Sequence, residues 1–266
     1  MVRMFELALL DITIYNKKII LKKNSFFMER EEKIMGRTYS EKQMLQKCSE
    51  ALQNPSTFYA QGFVNYRGIC PDAKILYTEV VARFLCNNLQ QYISGIQPIT
   101  RDASYCTPTH DGKYDPNSNR EEELIAMKMF GASENGTQYE HIGRIIDYQT
   151  PLKCRQNDKA GKIDLLAYDG MTLRLLELKK PSTKETMLRC VLEGFTYLRT
   201  VNVAKLLEDF KLPDNTIVKA SPFIFEKSIP YKEYFEDRPY LKELMRMLDS
   251  TPFFISSQGA SYNVFL

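Results

Sequence analysis

Residues 161–180 constrain this chain more than any other stretch. Two apolar runs, 163–168 and 171–178, flank Asp169-Gly170. That dipeptide suits a two-residue type I′ hairpin turn, in which both central residues need positive φ. Asp164 breaks the first run, and Glu177 and Lys179 break the second. A two-residue turn predicts the pairs Tyr168–Met171, Leu166–Leu173 and Asp164–Leu175. Side chains alternate with period 2 along a strand, so Asp164, Leu175, Glu177 and Lys179 share one face. Asp164 and Glu177 are then diagonal neighbours, about 7–8 Å apart. Two carboxylates at that spacing can close on one Mg²⁺, whose oxygen ligands sit at ~2.1 Å. A four-residue connection keeps this face assignment, whereas a three-residue one destroys it.

The rest of the composition sets limits. A chain of 266 residues holds one large domain or two smaller ones. A net charge of +3 and a pI near 8.4 admit a nucleic-acid partner without demanding one. The 6 cysteines form no C-x-x-C pair, which argues against a zinc ribbon or an iron–sulfur cluster. Scattered cysteines read as reduced thiols and point to an intracellular, cytoplasmic protein. No stretch is long and apolar enough to span a membrane. Residues 5–10 are apolar, but Asp11 stops them short of a signal-peptide core. Met28 opens a charged segment and reads as the natural start; the alternative is a short strand near 12–21. The expected organisation is an extension over 1–27, a helical region with a loop over 28–118, and a main domain over 119–266.

Taken in order, Ser40 caps a helix reaching about residue 53, with Gln43 completing a capping box. Met44, Leu45, Cys48 and Leu52 give it one apolar face. Residues 58–67 are aromatic and irregular. Helical spacing of apolar residues predicts one helix over 72–94. Residues 96–119 read as a loop, either a linker or a substrate-side segment. Asn119 is expected to cap a helix through Phe130, which residues 131–136 then break. A strand follows over 142–153, and then the hairpin. Pro181 ends its second strand. Ser182 and Glu185 look like a capping box for a helix with a buried stripe of Leu188, Val191, Leu192, Phe195 and Leu198. Glu193 and Tyr197 lie four apart on its opposite face. A strand over 216–226, a helix over 232–248 interrupted at Pro239, and a last strand over 253–257 complete the order.

This order, with these residues, resembles the PD-(D/E)XK nuclease superfamily. Gly161-Lys-Ile-Asp164 looks like the motif that supplies the first metal-binding aspartate, with Ile163 in place of the nominal proline. Glu177-Leu178-Lys179 looks like the (D/E)-X-K element. Glu193-Gly-Phe-Thr-Tyr197 is similar to the Gln-x-x-x-Tyr helix motif of the RecB-like branch, with Glu replacing Gln. Glu121, Glu122 and Glu123 stand where family members often place an acid that reaches the metal. The resemblance covers roughly the last half of the chain. It implies an α/β fold: a restriction-endonuclease-like mixed sheet flanked by helices, preceded here by a small helical region. It also implies Mg²⁺- or Mn²⁺-dependent hydrolysis of nucleic acid, DNA before RNA.

The residue chemistry agrees. Hydrolysis of a phosphodiester by in-line water attack uses a metal to polarise the phosphate and acidify the water. Asp164 and Glu177 supply hard oxygen ligands, the Leu178 carbonyl is a candidate third, and Glu122 or Glu123 a candidate fourth. Lys179 can orient the water or stabilise developing charge. Glu193, Tyr197, Lys180 and Lys162 are candidates for substrate contact. Arg144, Lys153, Arg155, Lys159, Lys162, Lys180, Lys184 and Arg189 cluster in sequence around the motif, as phosphate contacts or as solubilising charge.

Competing readings are weaker but distinct. Solvent-facing strand positions are often charged, and acids at 121–123 favour a helix N-terminus without any active site. His110-Asp111 resembles metal phosphohydrolases, but two histidines are too few for that ligand set, and His141 reads as structural. Residues 131–136 lack the lysine of a P-loop. The alternatives are a catalytically silent nuclease-like domain that binds nucleic acid or protein, and an assembly module built on residues 28–95. No membrane partner is expected, and a homodimer is a candidate assembly.

Overall fold

The computed structural model describes residues 38–110, 120–152, 161–259 and 261–266. The expected start at Met28, the Asn119 cap, Asp111, and the basic residues Lys153, Arg155 and Lys159 lie outside them. Helix α1 (Glu41–Ala51) opens with the predicted capping box. Ser40 Oγ accepts from Gln43 N at 3.3 Å, and Gln43 Oε1 accepts from Ser40 N at 2.8 Å. Two 3₁₀ turns, Pro55–Ala60 and Gly62–Asn65, follow. The single helix expected over 72–94 is instead two, α2 (Tyr77–Asn87) and α3 (Leu89–Ser94). Asn88 separates them at φ −121°, and its amide donates to Phe84 O at 2.7 Å. Such side-chain bonding competes with the helical ladder and breaks the run. Ile75 and Leu76 precede the helix, where Leu76 bridges to Ile69.

Helix α4 (Glu121–Glu134) passes through Gly131 instead of stopping there. Its last turn is tied down by the buried Ser133, whose Oγ accepts from Ile145 N at 3.0 Å. That bond leads directly into the sheet.

The sheet is six-stranded and mixed, in the order β1 (Arg144–Pro151), β2 (Lys162–Tyr168), β3 (Thr172–Lys179), β4 (Ile217–Phe225), β5 (Phe253–Gln258), β6 (Ser261–Phe265). β1–β2, β2–β3 and β5–β6 pair antiparallel, while β3–β4 and β4–β5 pair parallel. Parallel joins need crossovers. Helices α5 (Met187–Thr200) and α6 (Val203–Asp209) make the first, and α7 (Ile229–Phe235) and α8 (Pro239–Met247) the second. Pro239 starts α8 and divides the helical segment as expected. β6 was not expected. It is five residues long and its one buried side chain, Val264, gives little periodicity.

Strand residues are buried on both faces, as apolar runs demand. Leu165, Leu176, Leu178, Phe223 and Ile255 pack beneath α4 with Ile125 and Met129. Leu166, Leu173, Leu175 and Ala220 face the other way, toward Tyr197, Leu206 and Leu207 of α5 and α6. Helix α5 is covered a second time from outside. Met44, Phe58, Val80, Leu85 and Tyr92 of the helical region share a core with its Leu188, Leu192 and Phe195. Thr186, the N-cap of α5, latches the two parts together: its hydroxyl donates to Val64 O at 2.9 Å and its N–H to Asn65 Oδ1 at 3.0 Å. The expected Ser182–Glu185 capping box therefore does not form. The helix begins at Met187, which leaves Glu185 free for another task. Among the described residues no helix is long and apolar enough to cross a membrane.

Candidate functional site

The hairpin connection is longer than a type I′ turn. Its ladder pairs Tyr168 with Leu173, Leu166 with Leu175 and Leu165 with Leu176. Gly170 has φ 99°, but Asp169 is not among the residues with positive φ. Asp169 instead accepts from Met171 N at 2.9 Å and Thr172 N at 2.8 Å, an Asx-type cap that spreads the connection over four residues. The even count preserves the face assignment but shifts the register by two. One step beyond the last pair, Leu165–Leu176, this register brings Asp164 toward Glu177 and away from Leu175, and its carboxylate meets Leu178 N. The two acids are closer to direct neighbours than to the expected diagonal pair.

Asp164 is held from both sides. Its Oδ2 accepts from Leu178 N at 2.9 Å and its Oδ1 from Gln149 Nε2 at 3.0 Å. Gln149 faces it on β1, between the pairs Tyr148–Leu165 and Thr150–Ile163. Its φ is 50°, a left-handed conformation that costs a non-glycine residue energy and persists where the surroundings enforce it.

Glu177 and Lys179 lie on the face that α5 covers, 4 % and 6 % exposed. Lys179 Nζ contacts Glu177 Oε1 at 2.7 Å, Glu185 Oε2 at 2.8 Å and Glu193 Oε2 at 3.3 Å. Arg189 adds a second cation, with Nε 3.1 Å from Glu185 Oε1 and 3.6 Å from Glu193 Oε2. Tyr197 Oη donates to Glu193 Oε1 at 3.1 Å. Glu193 and Tyr197 were expected on a face turned away from the core, yet both are 7 % exposed. That side of α5 lies against the sheet, where Tyr197 joins Leu166 and Leu175 and Glu193 meets Lys179, while the apolar stripe faces the helical region. A single helix's periodicity does not tell which of two covered sides meets the sheet. Tyr59 closes the wall. Its ring lies edge-on to Tyr197 with centroids 5.9 Å apart, and the Arg189 guanidinium sits over it at 5.4 Å.

Three carboxylates, Glu177, Glu185 and Glu193, thus contact Lys179 or Arg189, and Asp164 lies close enough to feel the Lys179 charge. Burial pushes the Asp164 carboxyl up to about 7; Lys179 opposes the rise, and Glu122 and Glu193 reinforce it. Burial, with Glu193, also lifts Glu177 well above the ordinary carboxylate range. For Lys179 burial works against the charge, but Glu177 and Glu193 outweigh it and hold the ammonium firmly protonated. Burial and the same two acids raise the Tyr197 phenol.

The remaining expected residues divide. Glu122 comes to the site, since its Oε1 accepts from Lys180 N at 3.0 Å. Glu123 turns to Arg120 at 3.1 Å. Lys180 Nζ lies 3.3 Å from Glu121 Oε2. Lys162 is exposed at the start of β2 opposite Pro151. Arg144 pairs with Glu134 at 3.4 Å, away from this cluster. His110 stacks on Tyr148 and meets the buried Asp147 through Nδ1 at 2.7 Å, a structural contact on β1. Gln149, Glu185 and Tyr59 were not expected at the site. The available signal was the spacing of Arg189 and Glu193, four apart on one side of α5, with Glu185 four residues before Arg189 and just ahead of the helix. Nothing local marks Gln149.

In donor type and charge the cluster fits a hard divalent cation: all its acidic donors are oxygens, and carboxylates exceed cations. Among the described residues, no three His, Cys, Asp or Glu side chains are already gathered closely enough to hold a metal ion. Lys179 stands where the carboxylates would converge. In comparisons with models of known protein families, with curated proteins and with solved structures, the chain matches none.

Proposed function

We propose that this chain is a nuclease of restriction-endonuclease-like architecture that hydrolyses phosphodiester bonds in nucleic acid, DNA before RNA, with Mg²⁺ or Mn²⁺. The observation that carries the reading is the Asp164 carboxylate bonded to Leu178 N, between Glu177 and Lys179 on the neighbouring strand, with the Lys179 ammonium buried against Glu177. Asp164 and Glu177, with Glu122 and the Leu178 carbonyl, are the groups that would hold the ion. The ion supplies Lewis-acid polarisation of the phosphate and a lower pKa for the attacking water. Lys179 stays protonated and presents N–H donors to orient that water or meet charge developing on phosphorus. Glu193 positions Lys179, and Tyr197 and Arg189 position Glu193. Lys162 and Lys180 are the backbone-phosphate contacts, which set register without reading sequence.

One observation favours a silent, binding-only version. Lys179 is already matched by three carboxylates within 3.3 Å, a closed arrangement that stands without an ion. The two readings separate in one experiment. Wild type and Lys179→Ala are incubated with circular duplex, linear duplex, single-stranded DNA and RNA, each with Mg²⁺, Mn²⁺ or EDTA. Metal-dependent cleavage that disappears in the variant supports the nuclease. Identical products from both proteins on every substrate end the catalytic reading. Salt-sensitive binding without turnover indicates the silent domain.

A further inference from the structure

Tyr197 faces two ways. Its hydroxyl reaches Glu193, and its ring lines a cavity of about 200 Å³ between α5, the 3₁₀ turn Pro55–Ala60 and the segment 97–99. Tyr59 forms a second aromatic wall, and Ile99 and Leu152 supply apolar ones. Gly161 keeps the space open on the hairpin side, where a Cβ would meet Tyr197 Oη at 2.2 Å. The volume lies below the roughly 300–1,000 Å³ of most small-molecule sites and suits one planar heterocycle.

The polar lining has a definite sense. Thr57 donates its hydroxyl proton to Asn54 O at 3.2 Å, Thr196 to Leu192 O at 2.7 Å and Thr200 to Thr196 O at 2.7 Å. The Gln97 amide nitrogen donates to Ser94 O at 2.6 Å. The three hydroxyls have committed their hydrogens to main chain and keep only acceptor capacity, part of it taken at Thr196 by Tyr92 Oη, while Gln97 keeps its carbonyl oxygen and one N–H. A cavity rich in acceptors between aromatic walls selects a flat ligand that carries N–H donors.

We propose that this pocket takes one unpaired nucleobase bearing an exocyclic amino group, adenine or cytosine in preference to thymine or uracil, from a strand whose phosphates lie at the Lys179 cluster. The proposal rests on the nucleic-acid reading of that cluster and deepens it. An amino group brings two N–H donors to the acceptor rim, whereas thymine and uracil offer carbonyls there and one ring N–H. Stacking on tyrosine is indifferent to base identity, so the discrimination comes from the rim. A base held this way must be unpaired, which directs the enzyme to single-stranded segments, frayed ends or extruded nucleotides.

The test uses binding, read both in EDTA and with Ca²⁺ present to give the acids a counter-ion, with the oligomers checked on a gel to be intact, so its result does not depend on catalysis. Fluorescein-labelled dodecamers of dA, dC and dT and a blunt hairpin duplex are titrated with the full chain by anisotropy. Wild type is expected to bind dA and dC at least fivefold more tightly than dT, and the duplex more weakly than dA. The double variant Gln97→Met/Thr200→Val removes two acceptors outside the charged cluster, and its dA:dT ratio is expected to fall toward one. Circular dichroism and melting establish that this variant is folded; should it unfold, Gln97→Met alone, at an exposed position, is expected to lower the ratio in the same direction. Equal affinity of wild type for dA and dT, an unchanged ratio in the folded variant, or no binding of any oligomer overturns the proposal. Free dAMP binding as tightly as the dodecamer also overturns it, because the site would then serve a nucleotide and not a strand. Lys179-dependent cleavage without base preference defeats the pocket alone. Base preference without metal-dependent cleavage defeats catalysis alone.

Discussion

Two clusters of buried charge hold helices in this molecule, and they are built on opposite plans. Where α8 meets the helical region, Glu79 accepts from Tyr240 N and Leu241 N, both at 2.9 Å. Nearby Glu233 accepts from Met187 N at 2.7 Å, and Arg238 bonds Thr78 and Glu236. These carboxylates end on the free N–H groups of helix starts, where the backbone dipole already favours negative charge. At the Lys179 cluster Glu177, Glu185 and Glu193 turn toward Lys179 and Arg189, with Asp164 held nearby by Leu178 N and Gln149. The first plan ends its buried carboxylates on backbone N–H groups and matches the one buried cation there, Arg238, with Glu233, Glu236 and Thr78. The second gathers more carboxyl groups than cations and raises the pKa of two of them, which a fold built only for stability has no reason to accumulate.

The largest test of this contrast is Lys179→Ala. Turnover is expected to fall on the order of a thousandfold. Stability is expected to drop by about 3–5 kcal/mol at pH 8, because the variant leaves buried acids without their counter-ion. At pH 5 the acids take up protons and the deficit should shrink. Melting curves at the two pH values decide it, and an equal deficit at both would refute the excess-charge account. Glu79→Ala comes next. It uncaps α8 at two N–H groups and is expected to cost about 2–4 kcal/mol, yet cleavage per folded molecule should match wild type. If cleavage falls as far as in Lys179→Ala, the two clusters are not functionally distinct.

Asp164→Asn, examined without divalent ions, gives a smaller effect of opposite sign. The folded-state pKa of Asp164 is raised to about 7 from an ordinary value of 3.8. The protonated form is therefore the one that folding favours. Its contribution is complete below pH 4 and is lost as pH rises through about 7. Asparagine stays neutral throughout, so the variant should be more stable than wild type at pH 8 by about 1–2 kcal/mol, with no advantage at pH 4. A flat difference across that range would show that Asp164 ionises normally. With Mg²⁺ present, wild-type cleavage should climb through the same interval, because ligation needs the carboxylate.

Much of this site can be read from the sequence, and the boundary of what can be read has physical causes. Asp164, Glu177 and Lys179 are visible because a strand's period of 2 fixes faces from spacing alone, and that survives a change of turn by two residues. The register does not survive it, because the Asp169 side chain caps the turn, a choice that the Asp-Gly dipeptide leaves open. The sheet's parallel centre is implied by helices between strands, while β6 has too little buried surface to show a pattern. The spacing separates Glu193 and Tyr197 from the apolar stripe of α5, but it does not show that the stripe packs on residues 44–96 and that the polar side is the one turned to the sheet. Gln149 is invisible for a related reason: its role arises from standing opposite Asp164 on β1, and its positive φ is imposed by the fold.

The smallest expected effect probes how tightly the wall between cluster and pocket is set. At Gly161 a Cβ would fall 2.2 Å from Tyr197 Oη and 2.7 Å from Cζ, so the ring must move for alanine to fit. Moving it stretches the 3.1 Å bond to Glu193, whose other oxygen steadies Lys179. Gly161→Ala is expected to cost about 1 kcal/mol of stability, the scale of one hydrogen bond, and to slow cleavage several-fold without abolishing it. Tyr197→Phe removes the same bond directly and should slow cleavage to a similar degree. Alanine at 161 should then add little further loss of rate in the Tyr197→Phe background, because both changes act through one contact. Multiplicative losses in the double variant would mean that Gly161 serves the hairpin backbone, and that the Tyr197–Glu193 bond does not position Lys179.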